Sequence, residues 1–110
     1  MRVQISSPHT DVPDAVMDRT QDQLEKLIRY DPGLRAAEVF FDSTKRSKSV
    51  EAILHIDGEK PKIATGEGDT FQGALDQLID RLGRMLRRGR AQRRDHQGPK
   101  LSETVPNVEE

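Results

Sequence analysis

Apolar residues recur along this chain with two periods, and the alternation between them predicts an order of elements. In RVQIS, residues 2–6, Val3 and Ile5 share one side of an extended chain, which predicts a short strand. Ser7, Pro8, His9 and Thr10 then make a loop. From about residue 13 to residue 30 the spacing changes to three and four, so that Val16, Thr20, Leu24, Leu27 and Ile28 fall on one face of a helix. Pro13 suits its first turn, where a missing N–H costs no hydrogen bond. Asp11, Asp14 and Asp18 place negative charge near the positive end of the helix dipole. YDPG stops the helix.

Period two returns in AAEVFFDS, residues 36–43. It returns again after the polar loop TKRSKS, in VEAILHID, where Val50, Ala52, Leu54 and Ile56 share one face and Glu51, Ile53, His55 and Asp57 take the other. Asp57-Gly58 predicts a tight primed turn, because such turns require positive φ. KPKIATGE, residues 60–67, returns as the partner strand. Thr70 is placed to cap a long helix starting near Phe71, with Leu75, Leu78, Ile79, Leu82 and Leu86 on its buried stripe. The order is β-α-β-β-β-α. The fold class that follows is α+β, a four-stranded mixed sheet with two helices packed on one face. The last three strands form an antiparallel meander, and the first lies parallel beside one of them. From Gln97 onward, QGPKLSETVPNVEE shows no periodicity; residues 1–95 are read as one α/β domain and residues 96–110 as a flexible acidic tail.

Composition narrows the chemistry. The chain has 110 residues, 33% of them hydrophobic and 34% charged, enough for a single modest core. The absence of cysteine removes disulfides, thiolate catalysis and Cys-ligated metal sites together. MRVQISSPHT lacks the apolar segment of a signal peptide, and no apolar run approaches the length of a membrane span, so the expected location is cytoplasmic.

A formal net charge of -1 conceals a strong asymmetry. Residues 1–80 carry -5, the stretch RLGRMLRRGRAQRR (81–94) carries seven arginines and no acid, and residues 95–110 carry -3. At about 100° per residue, Leu82, Met85 and Leu86 point to one side of the helix and Arg84, Arg87 and Arg88 to the other. Arg90, Arg93 and Arg94 follow Gly89, where a bend or fraying is expected. A solvated helix face ordinarily mixes signs and gains i,i+4 pairs, whereas arginines without interleaved acids repel one another until a polyanion meets them. Arginine in place of lysine fits a planar, bidentate acceptor such as phosphate. Two further basic groups are candidates for the same surface: Arg19, Lys26 and Arg29 on the first helix, interleaved with Asp22, and Lys45, Arg46 and Lys48 in the loop. Phe40, Phe41 and Phe71 have core roles in this reading and Tyr30 ends a helix, so no aromatic is left to stack bases. Recognition would therefore rest on RNA backbone and shape.

Catalysis finds little support. His9, His55 and His96 show no metal-ligand spacing, and there is no glycine-rich phosphate loop or nucleophile motif. Asp76 and Asp80, spaced i,i+4, read as acids favoured near a helix start rather than as a cation site. The chain is read as a non-enzyme without a cofactor.

Taken in order, LEKLIRY, VEAILHIDG and ATGEGDTFQGALDQLIDRLGRMLRR resemble the short ribosome hibernation promoting factors and ribosome-associated inhibitors, a family also labelled sigma-54 modulation proteins. The resemblance covers residues 1 to about 95. It implies a topology similar to double-stranded RNA-binding domains and a seat in the decoding channel of the 30S subunit, on 16S rRNA. There such a domain blocks the mRNA and tRNA sites and silences translation in stationary phase or stress. Carried over by position, the family's basic residues fall on Lys26, Arg81, Arg84 and Arg88; the charge argument adds Arg87 and Arg90, and the loop adds Lys45, Arg46 and Lys48. The aspartate-methionine-tyrosine that commonly opens the family's second helix reads Thr70-Phe71-Gln72 here. The long form's dimerisation domain is absent from the sequence, and the chain is expected to be a monomer off the 30S subunit and 70S ribosome. Two other readings stay open at this stage: a general structured-RNA-binding module, and a protein-interaction module modulating a transcription factor.

Overall fold

The computed structural model describes the backbone of residues 1–96 and the side chains of residues 1–89. Strand β1 (Arg2–Ser6) leads into helix α1 (Asp14–Lys26) and a 3-10 turn (Leu27–Arg29). Strands β2 (Leu34–Ser43), β3 (Lys48–Ile56) and β4 (Lys62–Gly68) follow, and helix α2 (Phe71–His96) closes the described chain. The sheet order is β1-β2-β3-β4, with β1 parallel to β2 and the other pairs antiparallel. Both helices lie on one face, where Val16 and Leu24 of α1 and Leu75, Leu78 and Leu82 of α2 share a core with Val39, Phe41, Val50 and Leu54 of the sheet. The expected α+β architecture is therefore present, element for element. The tail reading falls on residues outside those described.

Local signals account for most of the boundaries. Pro13 stands just before α1 and its carbonyl takes the Val16 and Met17 amides. Thr70 caps α2: its hydroxyl accepts the Gly73 amide at 3.0 Å and its carbonyl accepts the Ala74 amide at 3.0 Å. Asp31 stops the first helical segment with an Asx turn, its carboxylate accepting the Gly33 amide at 2.9 Å. Phe41 and Phe71 meet edge to face with centroids 5.7 Å apart, joining β2 to the first turn of α2.

The structure departs from the sequence expectation in four places. The α-helix ends at Lys26, and the tighter 3-10 turn that follows keeps Leu27 buried while rotating Ile28 outward to 39% exposure. Phe40 is 37% exposed, because β2 turns it to the face opposite the helices while Val39 and Phe41 are buried. The β3–β4 connection spans residues 57–61, longer than a two-residue primed hairpin, and contains a turn at Asp57-Gly58, with Gly58 at φ 76, closed by the Glu59 amide donating to the Ile56 carbonyl at 3.1 Å. Finally, α2 runs through Gly89 to His96 without a break. An isolated glycine costs a helix about 1 kcal/mol but does not by itself break it.

Candidate nucleic-acid interface

Packing of α2 fixes where its arginines go. Leu75, Leu78, Leu82 and Leu86 are fully or almost fully buried, so the helix is held in one rotation and the polar positions are forced outward. At 100° per residue, Arg81, Arg88, Arg84 and Arg87 follow one another around an outer arc of about 120°. All four side chains are exposed. Their contacts agree with that order. Arg81, at one rim, donates from Nη1 to the Thr65 carbonyl of β4 at 2.8 Å. At the other rim, beside α1, the Arg87 guanidinium lies over the Tyr30 ring, 5.1 Å from its centroid.

The sequence reading saw no acid among these arginines, and the structure supplies partners from outside the stretch. Arg84 pairs with Asp80 one turn earlier, an exposed i,i+4 contact of about 0.3–0.5 kcal/mol. Arg19 of α1 reaches Asp76 of α2 at 3.3 Å, which in turn accepts a hydrogen bond from Gln72 at 3.0 Å. Asp76 and Asp80 are thus occupied as acceptors by separate arginines. Arg88 has no ion-pair partner among the described residues. The arc is neutralised in part by contacts that a phosphate could replace.

Lys26 is exposed in the last turn of α1 and pairs with Asp22 at 3.3 Å. It meets Arg87 across a cleft of about 270 Å³ between the end of α1 and the middle of α2, which is lined also by Arg29, Tyr30, Ile79 and Gly83. Arg90 lies on α2 with its backbone helical, and its side chain lies outside the described set.

The third basic group sits elsewhere. Thr44 organises the β2–β3 loop, its hydroxyl accepting the Arg46 and Ser47 amides at 3.3 and 3.2 Å, which leaves the Lys45 and Arg46 side chains exposed. Lys48 is the first residue of β3 rather than a loop residue, and its ammonium stands 5.2 Å from the Phe71 ring centroid. Phe71 begins α2 and Arg88 lies seventeen residues further on, about 26 Å along the axis. The structure therefore brings Lys26 together with the α2 arginines and separates Lys45, Arg46 and Lys48 from them.

Sequence reasoning set Tyr30 aside as the end of a helix, leaving no aromatic to stack bases, and gave Arg29 no more weight than its neighbours; the structure places Tyr30 half-buried under the Arg87 guanidinium. The signal available was the spacing of Tyr30 from the end of the first apolar stripe, but its contact with Arg87 is made between distant segments. Among the described residues no group of three His, Cys, Asp or Glu side chains is arranged to hold a metal. No described helix is long and apolar enough to cross a membrane.

Comparison with known proteins agrees with this architecture. The chain is 31% identical over 86 residues to the ribosome hibernation promoting factor of Azotobacter vinelandii, covering 78% of this chain and 79% of that one. It is 25% identical over 96 residues to the ribosome hibernation promoting factor of Escherichia coli K12, covering 87% of this chain and all of the other. A ribosomal subunit interface protein from Coxiella burnetii superposes with a TM-score of 0.76 at 22% identity, over 83% of this chain and 99% of that one, which establishes a shared fold. The model of one family spans residues 3–94, nearly the whole described domain. The chain belongs to the sigma 54 modulation protein / S30EA ribosomal protein family.

Proposed function

We propose that this protein is a non-catalytic ribosome hibernation factor that docks its arginine arc on 16S rRNA phosphates of the small subunit and occludes the mRNA and tRNA sites. The single observation that carries the reading is the arc itself: Arg81, Arg84, Arg87 and Arg88 exposed on a rigidly packed helix, with Lys26 and Arg29 across the seam. Arginine forks on a fixed element match phosphate oxygens without reading base sequence. The names of the relatives, ribosome hibernation promoting factors and a ribosomal subunit interface protein, give the polyanion its identity in this proposal. A cytoplasmic site of action and use in stationary phase or stress follow from the same reading. The sheet and core position the arc, the arginines supply the affinity, and the bulk of the domain supplies the block.

Sucrose-gradient co-sedimentation tests this with purified 30S subunits and 70S ribosomes at low and high salt. The wild type should co-migrate at low salt and dissociate steeply as salt rises, because each phosphate contact releases counterions. A variant carrying Arg81→Glu, Arg84→Glu and Arg88→Glu should remain at the top of the gradient. Failure of the wild type to co-migrate at low salt would overturn the proposal, and binding to isolated RNA duplexes as tight as to subunits would replace it with a general RNA-binding role.

A further inference from the structure

The cleft at the α1–α2 seam has a composition that phosphate docking alone does not explain. Lys26 and Arg29 border it from one side and Arg87 from the other, Tyr30 and Ile79 make it partly apolar, and the one carboxylate in its wall, Asp80, is paired with Arg84. Tyr30 is half-buried in the wall, and its ring edge lies beside Gly83, where an added Cβ would stand 3.9 Å from Cε2. A methyl there would touch the ring at an ordinary van der Waals distance, so the ring lies alongside the α2 backbone at normal packing separation. Over that ring rests the Arg87 guanidinium, a planar cation covering a flat aromatic surface.

We infer that this cleft binds one unpaired RNA nucleotide, its base stacked on Tyr30 and its phosphates held by Arg87, Arg29 and Lys26. The inference rests on the RNA-binding reading of the arc and adds a stacking position to it. A guanidinium resting on an aromatic face shows that the face admits a second planar group, and a nucleobase would use the same π surface. Stacking of a base on an aromatic side chain exceeds an exposed cation–π contact, so the base displaces Arg87 from the ring. The released guanidinium then turns to the phosphate of the same nucleotide. At about 270 Å³ the cleft lies just below the usual small-ligand range, which begins at about 300 Å³ and suits a single nucleotide rather than a helix. A base inside a duplex cannot enter. Loops, bulges and single-stranded ends are therefore the RNA elements selected, without strong base preference.

The chain contains one tyrosine and no tryptophan, so its intrinsic fluorescence reports Tyr30 alone. The test titrates the full-length protein with hexauridylate and, in parallel, with an abasic hexamer carrying the same phosphates. Quenching of Tyr30 by hexauridylate, with binding of the abasic hexamer weaker by about fivefold or more, is the expected result. Affinity is read independently by a labelled oligonucleotide, so that variants without tyrosine can be compared. Tyr30→Phe should bind within about twofold of wild type, and Tyr30→Leu, with an unchanged circular dichroism spectrum, should bind about five- to tenfold more weakly. Equal binding of the two hexamers, saturation without quenching, or a Tyr30→Phe loss as large as that of Tyr30→Leu would each overturn the inference. The abasic comparison needs no variant and decides even if Tyr30→Leu unfolds. Co-sedimentation of the wild type with 30S subunits is read separately. A protein that is quenched by hexauridylate but fails to sediment supports the nucleotide cleft and overturns the ribosomal reading alone.

Discussion

An added methyl at Gly66 would run into the Ala74 carbonyl and stand 2.9 Å from the Leu78 amide nitrogen, because β4 and α2 approach there backbone to backbone. At Gly83, within α2 itself, the same methyl would meet Arg87 Nη1 at 3.6 Å and Tyr30 Cε2 at 3.9 Å, both ordinary contacts. The two positions should respond to alanine with opposite signs. Gly66→Ala should lower the unfolding free energy by about 1–3 kcal/mol, the usual cost of forcing a packed seam apart. Gly83→Ala should raise it by about 0.5–1 kcal/mol through the helix propensity gained. Urea denaturation of both variants checks the pair, and a stable Gly66→Ala would show that the seam yields more than its packing implies. At this scale the sequence was readable where one period decided the outcome, as at Leu54 or Leu82. It was unreadable where a residue sits at a change of geometry. Leu27 and Ile28 are equally apolar, and the 3-10 turn between helix and loop buries one and exposes the other. Phe40 and Phe41 are adjacent in a strand, so one of them had to leave the core.

Around α2, the arc of arginines was legible in the sequence because helical periodicity is a local rule, and burial of Leu82 and Leu86 fixes its direction. The individual contacts were not legible, since Thr65, Tyr30 and Arg19 reach α2 only through tertiary packing. Those contacts separate the arginines by expected role. Arg88, without an ion-pair partner among the described residues, should behave as a phosphate contact and little else. Arg88→Ala should weaken subunit binding at every salt concentration and reduce the slope of log K against log salt by about 1, with thermal stability unchanged. Arg81→Ala should show a similar loss of slope together with a small loss of stability, because it also ties α2 to the Thr65 carbonyl. An Arg88→Ala variant with an unchanged slope would remove that residue from the interface. The β2–β3 loop forms a separate basic element at the far end of α2. If Lys45 and Arg46 also touch RNA, the loss caused by Lys45→Ala with Arg46→Ala should add to that of Arg88→Ala within about 0.5 kcal/mol, as expected for sites more than 10 Å apart. Filter-binding measurements on the single, double and triple variants test that sum, and a loop variant that binds as the wild type would confine the interface to the helices.

Across the whole molecule, the two faces of the sheet carry different chemistry. The face under the helices is apolar and closed, while the opposite face presents Glu38, Asp42, Glu51 and Glu67 from three neighbouring strands, around the exposed side chains of Phe40 and Ile63. His55 lies on the same face and contacts Glu38 at 2.6 Å. The near-neutral total thus conceals a basic seam and an acidic sheet face on opposite sides of the domain, an arrangement that net charge alone could not reveal. Such a molecule is attracted to phosphate from one side and repelled from the other, so long-range electrostatics orient it before contact. Repulsion of wrong orientations is also a means of specificity, because it penalises RNA that approaches the sheet without weakening contacts made by the arginines. Replacing Asp42 with Asn and Glu51 and Glu67 with Gln removes three negative charges from that face while preserving shape and hydrogen-bonding capacity. The triple variant should bind generic duplex RNA about tenfold more tightly at low salt, and should gain less for 30S subunits, so that the ratio between the two affinities falls. The difference should vanish as the Debye length shortens to about 3 Å near 1 M salt if the sheet acts on RNA only at long range. Competition binding of labelled subunits against unlabelled duplex, repeated across salt, measures that ratio directly. Equal gains for both ligands would show that the acidic sheet limits affinity in general, and no gain for either would leave orientation wholly to the arginine arc.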